Sequence, residues 1–236
     1  MSEGPRKVSI IIPAYNEAAA ISGVLDAVLR ADTSPYAKEI IVADDGSSDG
    51  TAVLLEQAAA GSGIKVVTHP VNRGKAAAIR SALKIATGDI ILIQDADLEY
   101  SPGDYRRLLL PFADSGIQAV YGSRFLNKQW PENMRAANWI ANRVFTLLVN
   151  LLYGAAITDE GTGYKLFRRE TVGSLNIACS GFEFCPEVTA KLLKNGVRIV
   201  EVPVAYRARS RKEGKKPTFL DGLKVIWTII KFRFRD

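Results

Sequence analysis

Five short apolar runs rich in β-branched residues recur through the first half of the chain. They cover residues 8–12, 39–43, 65–68, 90–94 and 119–121. Between them lie alanine- and leucine-rich stretches with apolar residues at helical spacing, over residues 17–30, 51–60, 74–86 and 102–113. Strands and helices that alternate in this way predict an α/β fold, in which a mostly parallel central sheet carries helices on both faces.

From about Lys128 this alternation ends, and two amphipathic segments follow. Residues 138–157 carry a broad apolar stripe interrupted by polar side chains, and residues 219–234 combine Leu, Ile, Trp and Phe with Lys and Arg. Neither provides the roughly 20 predominantly apolar residues of a bilayer crossing. Packing on the core is one interpretation of both. For the second segment, a preceding basic run and the aromatic content favour the interface of a membrane.

Acidic residues follow three of the predicted strands. Glu17 lies just after the first, Asp44 and Asp45 follow the second, and Asp95 and Asp97 follow the fourth. Ligands of parallel sheets bind at the carboxyl ends of the strands, so these acids are expected to share one site. In an extended segment Asp95 and Asp97 project from the same side, and their charges repel unless a cation lies between them. A divalent ion with oxygen ligands is the natural partner.

The net charge of +6 is concentrated at the carboxyl end of the chain. Residues 207–236 contain ten Lys and Arg against three acids, a charge of about +7, which leaves about −1 for the rest. Ile, Trp and Phe are interleaved with these cations. This composition suits an anionic lipid surface, and we expect no nucleic-acid partner.

Cysteine, histidine and glycine usage excludes several classes of protein. Cys179 and Cys185 form no CxxC pair, which indicates reduced thiols in a cytosolic protein. His69 is the only histidine, so a zinc site built on several imidazoles is excluded. The apolar run before Pro13 is only five residues long, and we expect no signal peptide. No GxxxxGK[ST] segment occurs, so a P-loop is absent.

Seven segments resemble, in order and at sensible spacing, the successive motifs of the family 2 glycosyltransferases. The closest resemblance is to the polyprenyl-phosphate (dolichyl-phosphate) mannose and glucose synthases, and it is carried by IIIPAYNEAAAI, IIVADDGSSDGT, NRGKAAAIRSAL, GDIILIQDADLEY, YGSRF, DEGTGYKLFRRE and EVPVAYRARSRKEGKK. It implies a GT-A fold with a Rossmann-like sheet. Residues 1–127 would be the nucleotide-sugar-binding half, residues 128–205 the acceptor-binding half, and residues 206–236 a basic loop and an amphipathic membrane-proximal helix.

The same resemblance implies a donor site at the strand ends. Asp44 would hydrogen-bond the base or ribose, and Asp45 would support the loop. Asp95 and Asp97 correspond to a DxD motif that holds Mg²⁺ or Mn²⁺ against the diphosphate, with Glu99 as the candidate third ligand. The nucleotide-sugar-binding residues implied are Pro13, Ala14, Tyr15, Glu17, Asp44, Asp45, Asn72, Lys75 and Asp95.

Catalytic and acceptor-binding residues follow from the resemblance in the same way. Asp97, Arg124 and Asp159 are the catalytic candidates, and Arg124 lies just after a strand, where a guanidinium can present two donors to phosphate. Asp159 would be a general base for a hydroxyl acceptor, or would hold a cationic side chain if the acceptor is a phosphate. Candidates for the acceptor phosphate are Arg135, Arg143, Arg211, Lys212 and Lys215, for which plain surface charge is the alternative.

The resulting expectation is an inverting, metal-dependent hexosyltransferase acting on a polyprenyl or dolichyl monophosphate. Mannose from GDP-mannose is the first choice of donor and glucose from UDP-glucose the second. The alternative is a soluble family 2 transferase that acts on a sugar hydroxyl, with Asp159 as base. We expect a peripheral protein at the cytoplasmic face of a membrane, with a membrane-anchoring protein as a candidate partner.

Overall fold

A central seven-stranded sheet with strand order β3-β2-β1-β4-β6-β5-β7 organises the fold. The computed structural model describes residues 7–127, 130–181, 183–209 and 219–235. The strands are β1 (Lys7–Ala14), β2 (Ala37–Asp44), β3 (Lys65–Thr68), β4 (Ile90–Ile93), β5 (Ala119–Ser123), β6 (Lys165–Arg168) and β7 (Ile199–Pro203). The helices are α1 (Ile21–Arg30), α2 (Thr51–Ala59), α3 (Lys75–Leu83), α4 (Tyr105–Leu109), α5 (Ala136–Tyr153), α6 (Arg169–Ser174), α7 (Phe184–Lys194) and α8 (Phe219–Phe234).

The five predicted strands are confirmed, and they make most of the sheet parallel. β1 pairs in parallel with both β2 and β4, and β2 pairs in parallel with β3. The sequence pattern did not predict β6, which runs antiparallel between β4 and β5, or β7, which extends the sheet beyond β5. β6 is only four residues long and begins and ends on basic residues, so it lacks the apolar run that marked the others.

Apolar side chains cover both faces of the sheet. Successive residues of each strand point to opposite faces, so they belong to two different cores. One core includes Ile10, Ile12 and Leu92 of the central strands, and the other includes Ile11 and Ile91. α1, α2 and α4 contribute to the first core, and α3, α6 and α7 to the second. The two-faced burial holds the ends of β1, β2 and β4 rigidly beside one another.

Three helices are shorter than the sequence predicted: α1, the helix of segment 102–113, and α3, which ends at Leu83 and not at residue 86. α1 begins at Ile21 because residues 17–20 form a turn, in which the Glu17 carbonyl accepts the N–H groups of Ala20 and Ile21. The segment 102–113 is one short α-helix, α4, between two 3₁₀ turns. Pro102 and Pro111 lie at the starts of those turns, where the missing N–H costs no hydrogen bond.

α5 and α8 pack against each other and bury Val149, Ile157 and Ile229 in a small core of their own. Packing on a core therefore accounts for one side of each helix. The other side remains open: Leu151 is 73% exposed and Trp227 is 63% exposed. Across the described ranges, no helix combines the length and apolarity that a membrane crossing requires.

Candidate active site

The acids predicted to share a site do lie at one edge of the sheet. Ala14, the last residue of β1, pairs with Asp44, the last residue of β2, and Asp95 follows β4 on the other side of β1. Glu17 and Asp97 are close enough for one arginine side chain to contact both. Tertiary structure thus brings the predicted residues of three separate segments together.

Asp44 offers an unused acceptor at this edge. Its Oδ1 accepts hydrogen bonds from the Ser47 hydroxyl at 2.5 Å and the Ser47 N–H at 3.3 Å. Its Oδ2 is buried and has no hydrogen-bond partner within the described part of the chain. Because an unpaired buried carboxylate oxygen is costly, this atom is suited to accept an N–H or O–H from a ligand. Pro13 and Ala14 end the adjacent strand, and Tyr15 beyond them is 45% exposed.

Asp45 is directed into the protein and holds the loop that precedes α3. Its Oδ1 accepts the N–H of Arg73 at 2.9 Å, and its Oδ2 accepts the N–H of Gly74 at 2.7 Å. The exposed Asn72 lies in the same loop, whose backbone packs against Gly46 so tightly that a side chain there would clash. Asp45 therefore fixes the backbone of the loop that leads into α3.

Lys75 places a positive charge on the first acid of the pair. Its Nζ donates to Oδ1 of Asp95. Burial alone would lower the pKa of Lys75, but the charges of Asp95 and Asp97 outweigh it, so the pKa of the ammonium is raised. The backbone of Gly163 approaches the Asp95 carboxylate so closely that no side chain would fit at that position.

Asp97 and Glu99 meet an arginine that the sequence pattern did not single out. Arg209 donates to Asp97 from Nη2 at 2.5 Å and to Glu17 from Nη1 at 2.9 Å. Its backbone N–H donates to Glu99 Oε1 at 2.7 Å, while Glu99 Oε2 accepts the Tyr206 hydroxyl at 3.0 Å. Arg209 is one of ten basic residues in the last thirty, and nothing in that run distinguished it.

The donor set at Asp95 and Asp97 fits a hard divalent cation. Burial and then the neighbouring Asp95 charge raise the pKa of Asp97 to about 6, although Arg209 opposes the shift. Two repelling carboxylates that remain 23% and 13% exposed are oxygen ligands of the kind that Mg²⁺ and Mn²⁺ prefer. The described residues contain no preformed group of three or more His, Cys, Asp and Glu arranged for a metal. Both Glu99 oxygens already have partners within the chain.

Arg124 and Asp159 form a buried bidentate ion pair beside this corner. Nε donates to Oδ2 and Nη2 to Oδ1, each at 2.7 Å, and the Arg124 backbone N–H adds a third bond at 3.0 Å. Burial would lower the pKa of Arg124, but Asp159 raises it well above its ordinary value. Nη2 also donates to Asn142 Oδ1 at 3.0 Å, a contact that the sequence did not predict. Nη1 has no hydrogen-bond partner in the described segments.

The basic residues proposed for the acceptor phosphate divide into two groups. Arg135 and Arg143 are exposed at the start and first half of α5, and Arg143 lies over the rings of Phe125 and Trp139. Phe125 also contacts the Arg124 guanidinium, at 5.3 Å from the ring centroid. The second group, which consists of Arg211, Lys212 and Lys215, falls outside the described residues.

Solved structures of similar fold belong to the GT-A glycosyltransferases. Glucosyl-3-phosphoglycerate synthase from Mycobacterium tuberculosis, in complex with Mn²⁺, UDP and glucosyl-3-phosphoglycerate, superimposes with a TM-score of 0.72. The alignment is 25% identical and covers 98% of this chain and 81% of that one. The same enzyme has also been crystallised with Mg²⁺ and UDP. The mixed sheet with acids at its strand ends therefore defines a GT-A glycosyltransferase.

Sequence comparison then places the chain within this class. Residues 9–175 match the profile of glycosyl transferase family 2, and the chain belongs to that family. An uncharacterised protein of Methanocaldococcus jannaschii is 26% identical over 95% of this chain and 91% of its own length. Glycosyltransferase AglJ of Haloferax volcanii is 30% identical over 87% of this chain.

A third relative is the undecaprenyl-phosphate 4-deoxy-4-formamido-L-arabinose transferase of Klebsiella pneumoniae, which is 32% identical over 89% of this chain. The alignments span only 64% of AglJ and 62% of the Klebsiella enzyme. The resemblance to polyprenyl-phosphate sugar transferases is thus confirmed, while both of these relatives are longer than this chain by about a third or more.

Proposed function

We propose that this chain transfers a hexose from a nucleoside diphosphate sugar to a polyprenyl or dolichyl monophosphate, with inversion at the anomeric carbon. The observation that best supports a phosphate acceptor is the ion pair between Arg124 and Asp159. Asp159 is 0% exposed and both its oxygens are bound to Arg124 at 2.7 Å, which leaves it poorly suited to take a proton from a hydroxyl. A phosphate monoester needs no such base, because its second pKa is near 6 and its oxygen is already anionic.

The donor is assigned to the edge formed by β1, β2 and β4. Asp44 Oδ2 would accept an N–H of the base or a ribose hydroxyl, beside Pro13, Ala14 and Tyr15. Asp95 and Asp97 would hold Mg²⁺ or Mn²⁺. When bound, that ion supplies positive charge to the departing nucleoside diphosphate. Glu99 is a ligand only if it exchanges its contacts to Tyr206 and Arg209.

The acceptor phosphate is assigned to the side of the pocket formed by Arg124 and α5. Arg124 Nη1 would donate to the phosphate while Asp159 keeps the guanidinium in its plane. A phosphate oxygen forms a bond to the anomeric carbon as the bond from that carbon to the diphosphate oxygen breaks. The electron pair of the broken bond leaves with the diphosphate. Arg135 and Arg143 provide further positive charge at the acceptor side.

The outward side of α5 and α8 supports a membrane-bound acceptor. Exposed apolar residues recur at helical spacing on α5 (Ile140, Val144, Leu147 and Leu151) and on α8 (Leu220, Leu223 and Trp227). Lys224 and Lys231 lie on α8 among them. An amphipathic surface with basic residues partitions into the interface of an anionic membrane, where each cation contributes on the order of 1 kcal/mol. We therefore propose peripheral binding at the cytoplasmic face, with residues 206–236 as the membrane-proximal unit and a membrane-anchoring partner protein as a further element.

A second candidate is transfer to the hydroxyl of a small soluble acceptor, with Asp159 as general base. The fold similarity to glucosyl-3-phosphoglycerate synthase favours it, since that enzyme's crystallised complex contains a glucosylated phosphoglycerate. The two candidates differ in the acceptor and in the role of Asp159, and both can be assayed on the same protein.

A two-stage experiment tests the proposal. First, melting temperatures are compared for GDP-mannose, UDP-glucose and related donors with and without Mn²⁺, and we expect a metal-dependent rise with GDP-mannose or, as second choice, UDP-glucose. The stabilising donor, radiolabelled, is then incubated with polyprenyl phosphate or with 3-phosphoglycerate. Label in an organic-extractable product supports the proposal, and label only in a water-soluble product supports the second candidate.

Paired variants make this assay specific to the site. Asp97→Asn removes a metal ligand and should abolish both the Mn²⁺-dependent stabilisation and transfer. Asp26→Asn changes an exposed aspartate on α1 and should alter neither. If no donor stabilises the wild-type protein in the presence of metal, the proposed function is wrong.

A further inference from the structure

Asp45, His69 and Ser81 form a hydrogen-bonded chain beneath the loop that leads into α3. His69 Nδ1 lies 2.7 Å from Asp45 Oδ1, and His69 Nε2 lies 2.8 Å from the Ser81 hydroxyl. Asp45 and His69 are buried, and Ser81 is carried by α3. The chain thus connects the end of β2 to the body of the helix that begins at Lys75.

His69 completes the set of donors that orients the Asp45 carboxylate. The other donors are the backbone N–H groups of Arg73 and Gly74, at 2.9 and 2.7 Å. A carboxylate oxygen accepts, so His69 Nδ1 is the donor in its contact with Asp45. The backbone N–H of His69 also donates to the Asp44 carbonyl at 2.8 Å, which fixes the histidine next to both acids of β2.

The loop held in this way determines where Lys75 starts. Gly74 has φ +94°, a conformation that favours glycine, and its backbone packs directly against the Ser180 carbonyl. Lys75 is the next residue, and its ammonium reaches Asp95. If the Asp45 carboxylate could rotate freely, the backbone N–H groups of Arg73 and Gly74, immediately before Lys75, would lose their acceptor.

We infer that His69 is a positioning residue, which acts through Asp45 on the 73–74 loop and so keeps Lys75 against Asp95. For its effect on the reaction, this inference rests on the proposed function. His69 itself lies outside the donor pocket and contacts none of the residues assigned to the metal.

Two substitutions at His69 distinguish its contact with Asp45 from its contact with Ser81. The amide nitrogen of asparagine occupies nearly the place of the histidine Nδ1, so His69→Asn keeps a donor to Asp45. The amide of glutamine reaches the place of Nε2 instead, so His69→Gln loses that donor and keeps contact with Ser81. We expect His69→Gln to raise the KM for the nucleotide sugar about tenfold, as the loss of a hydrogen bond to a charged group predicts. His69→Asn should restore the KM to within about threefold of wild type.

Glu39→Gln is the matched control for general destabilisation. Glu39 is an equally buried hydrogen-bond acceptor on β2, at the end of the strand away from the site. We expect it to lower the melting temperature without changing the KM. Equal effects of His69→Gln and His69→Asn on the KM, or an unchanged KM in His69→Gln, would overturn the inference.

Amide hydrogen exchange provides a readout that needs no turnover. Peptides that contain residues 72–75 should exchange faster in His69→Gln than in His69→Asn or the wild type. Equal exchange in the two variants would overturn the positioning role. If the wild-type protein binds no nucleotide sugar, the proposed function fails, and the exchange comparison still decides whether His69 holds the loop.

Discussion

Arg209 and Asp97 form an ion pair at the place proposed for the divalent metal. Nη2 and Nε of Arg209 lie 2.5 and 3.1 Å from Asp97 Oδ2, and the same guanidinium contacts Glu17 at 2.9 and 3.0 Å. The protein thereby supplies its own cation to a carboxylate that repels Asp95. A metal ion that binds Asp97 has to compete with this arginine.

Replacement of Arg209 should therefore strengthen metal binding in the absence of donor. We expect Arg209→Gln to lower the Kd for Mn²⁺ by about fivefold to tenfold, because a partly buried charge contact is worth on the order of 1–2 kcal/mol. Titration calorimetry at pH 8 measures it. The pKa of Asp97 is about 6 in the wild type and rises further when Arg209, which opposes the shift, is removed, so the titration is run well above that value.

Arg207→Gln is the control for this measurement. Arg207 lies two residues upstream and pairs with Glu132 at the surface, at 3.3 Å. Its replacement should leave the Mn²⁺ affinity unchanged. Unchanged or weaker Mn²⁺ binding by Arg209→Gln would show that the arginine does not compete for the metal site.

Arg124 and Asp159 should behave as one unit in kinetics. We expect Arg124→Gln and Asp159→Asn each to reduce kcat/KM for the lipid phosphate by about tenfold to a hundredfold, since each disturbs the same charged hydrogen bonds. The double variant should lose little more than either single one, because contacting residues that share one function are not additive. Melting temperatures of all three variants identify losses caused by unfolding.

If Asp159 acts as a general base, the same two single variants and their double variant give a different result. Asp159→Asn would then add its own large loss of kcat on top of Arg124→Gln, with acceptor binding intact. Additive losses of this kind would favour the hydroxyl-acceptor alternative.

The apolar side of α5 should contribute directly to membrane binding. We expect Leu147→Gln combined with Leu151→Gln to weaken binding to anionic vesicles at least about tenfold, because two exposed leucines lose their transfer into the interface. Cosedimentation with vesicles of phosphatidylglycerol and phosphatidylcholine measures the loss. Val53→Gln, at a similarly exposed valine on α2, should have no effect. Equal binding by the double variant and the wild type would place the lipid contact elsewhere.

Glu39 should make the stability of the fold depend on acidic pH. Burial alone would raise its pKa, but hydrogen bonds from Lys65, Ser9 and Thr87 lower the pKa well below the ordinary value of 4.5. The carboxylate therefore stabilises the folded state fully above about pH 4.5, and this contribution is lost as the pH falls through and below that value. We expect urea unfolding of the wild type to show a loss of about 2 kcal/mol in this window.

Glu39→Gln removes the titrating group from that comparison. Its free energy of unfolding should be lower than that of the wild type at pH 7, and the difference should shrink below pH 4. A constant difference at all pH values would mean that Glu39 is not the source of the acid sensitivity.

Local pattern alone predicted the five parallel strands and the acids at the ends of three of them, and the resemblance of its motifs indicated the family of the chain. Buried strands need apolar runs and their ends need polar residues, so both features are visible in the order of residues. β6 escaped prediction because it is four residues long with a basic residue at each end, and β7 because Glu201 interrupts its apolar residues.

Only the tertiary structure decided how the polar side chains are paired. In the fold, Asp159 binds Arg124 and Asp45 contacts His69. Arg209 contacts Asp97, although 112 residues of chain separate the two. The sequence shows that a residue is acidic, but it does not show whether its carboxylate is free for a ligand or bound to an arginine. Its role depends on which cations and N–H groups the fold brings within about 3 Å, and that distance is set by the packing of the whole sheet.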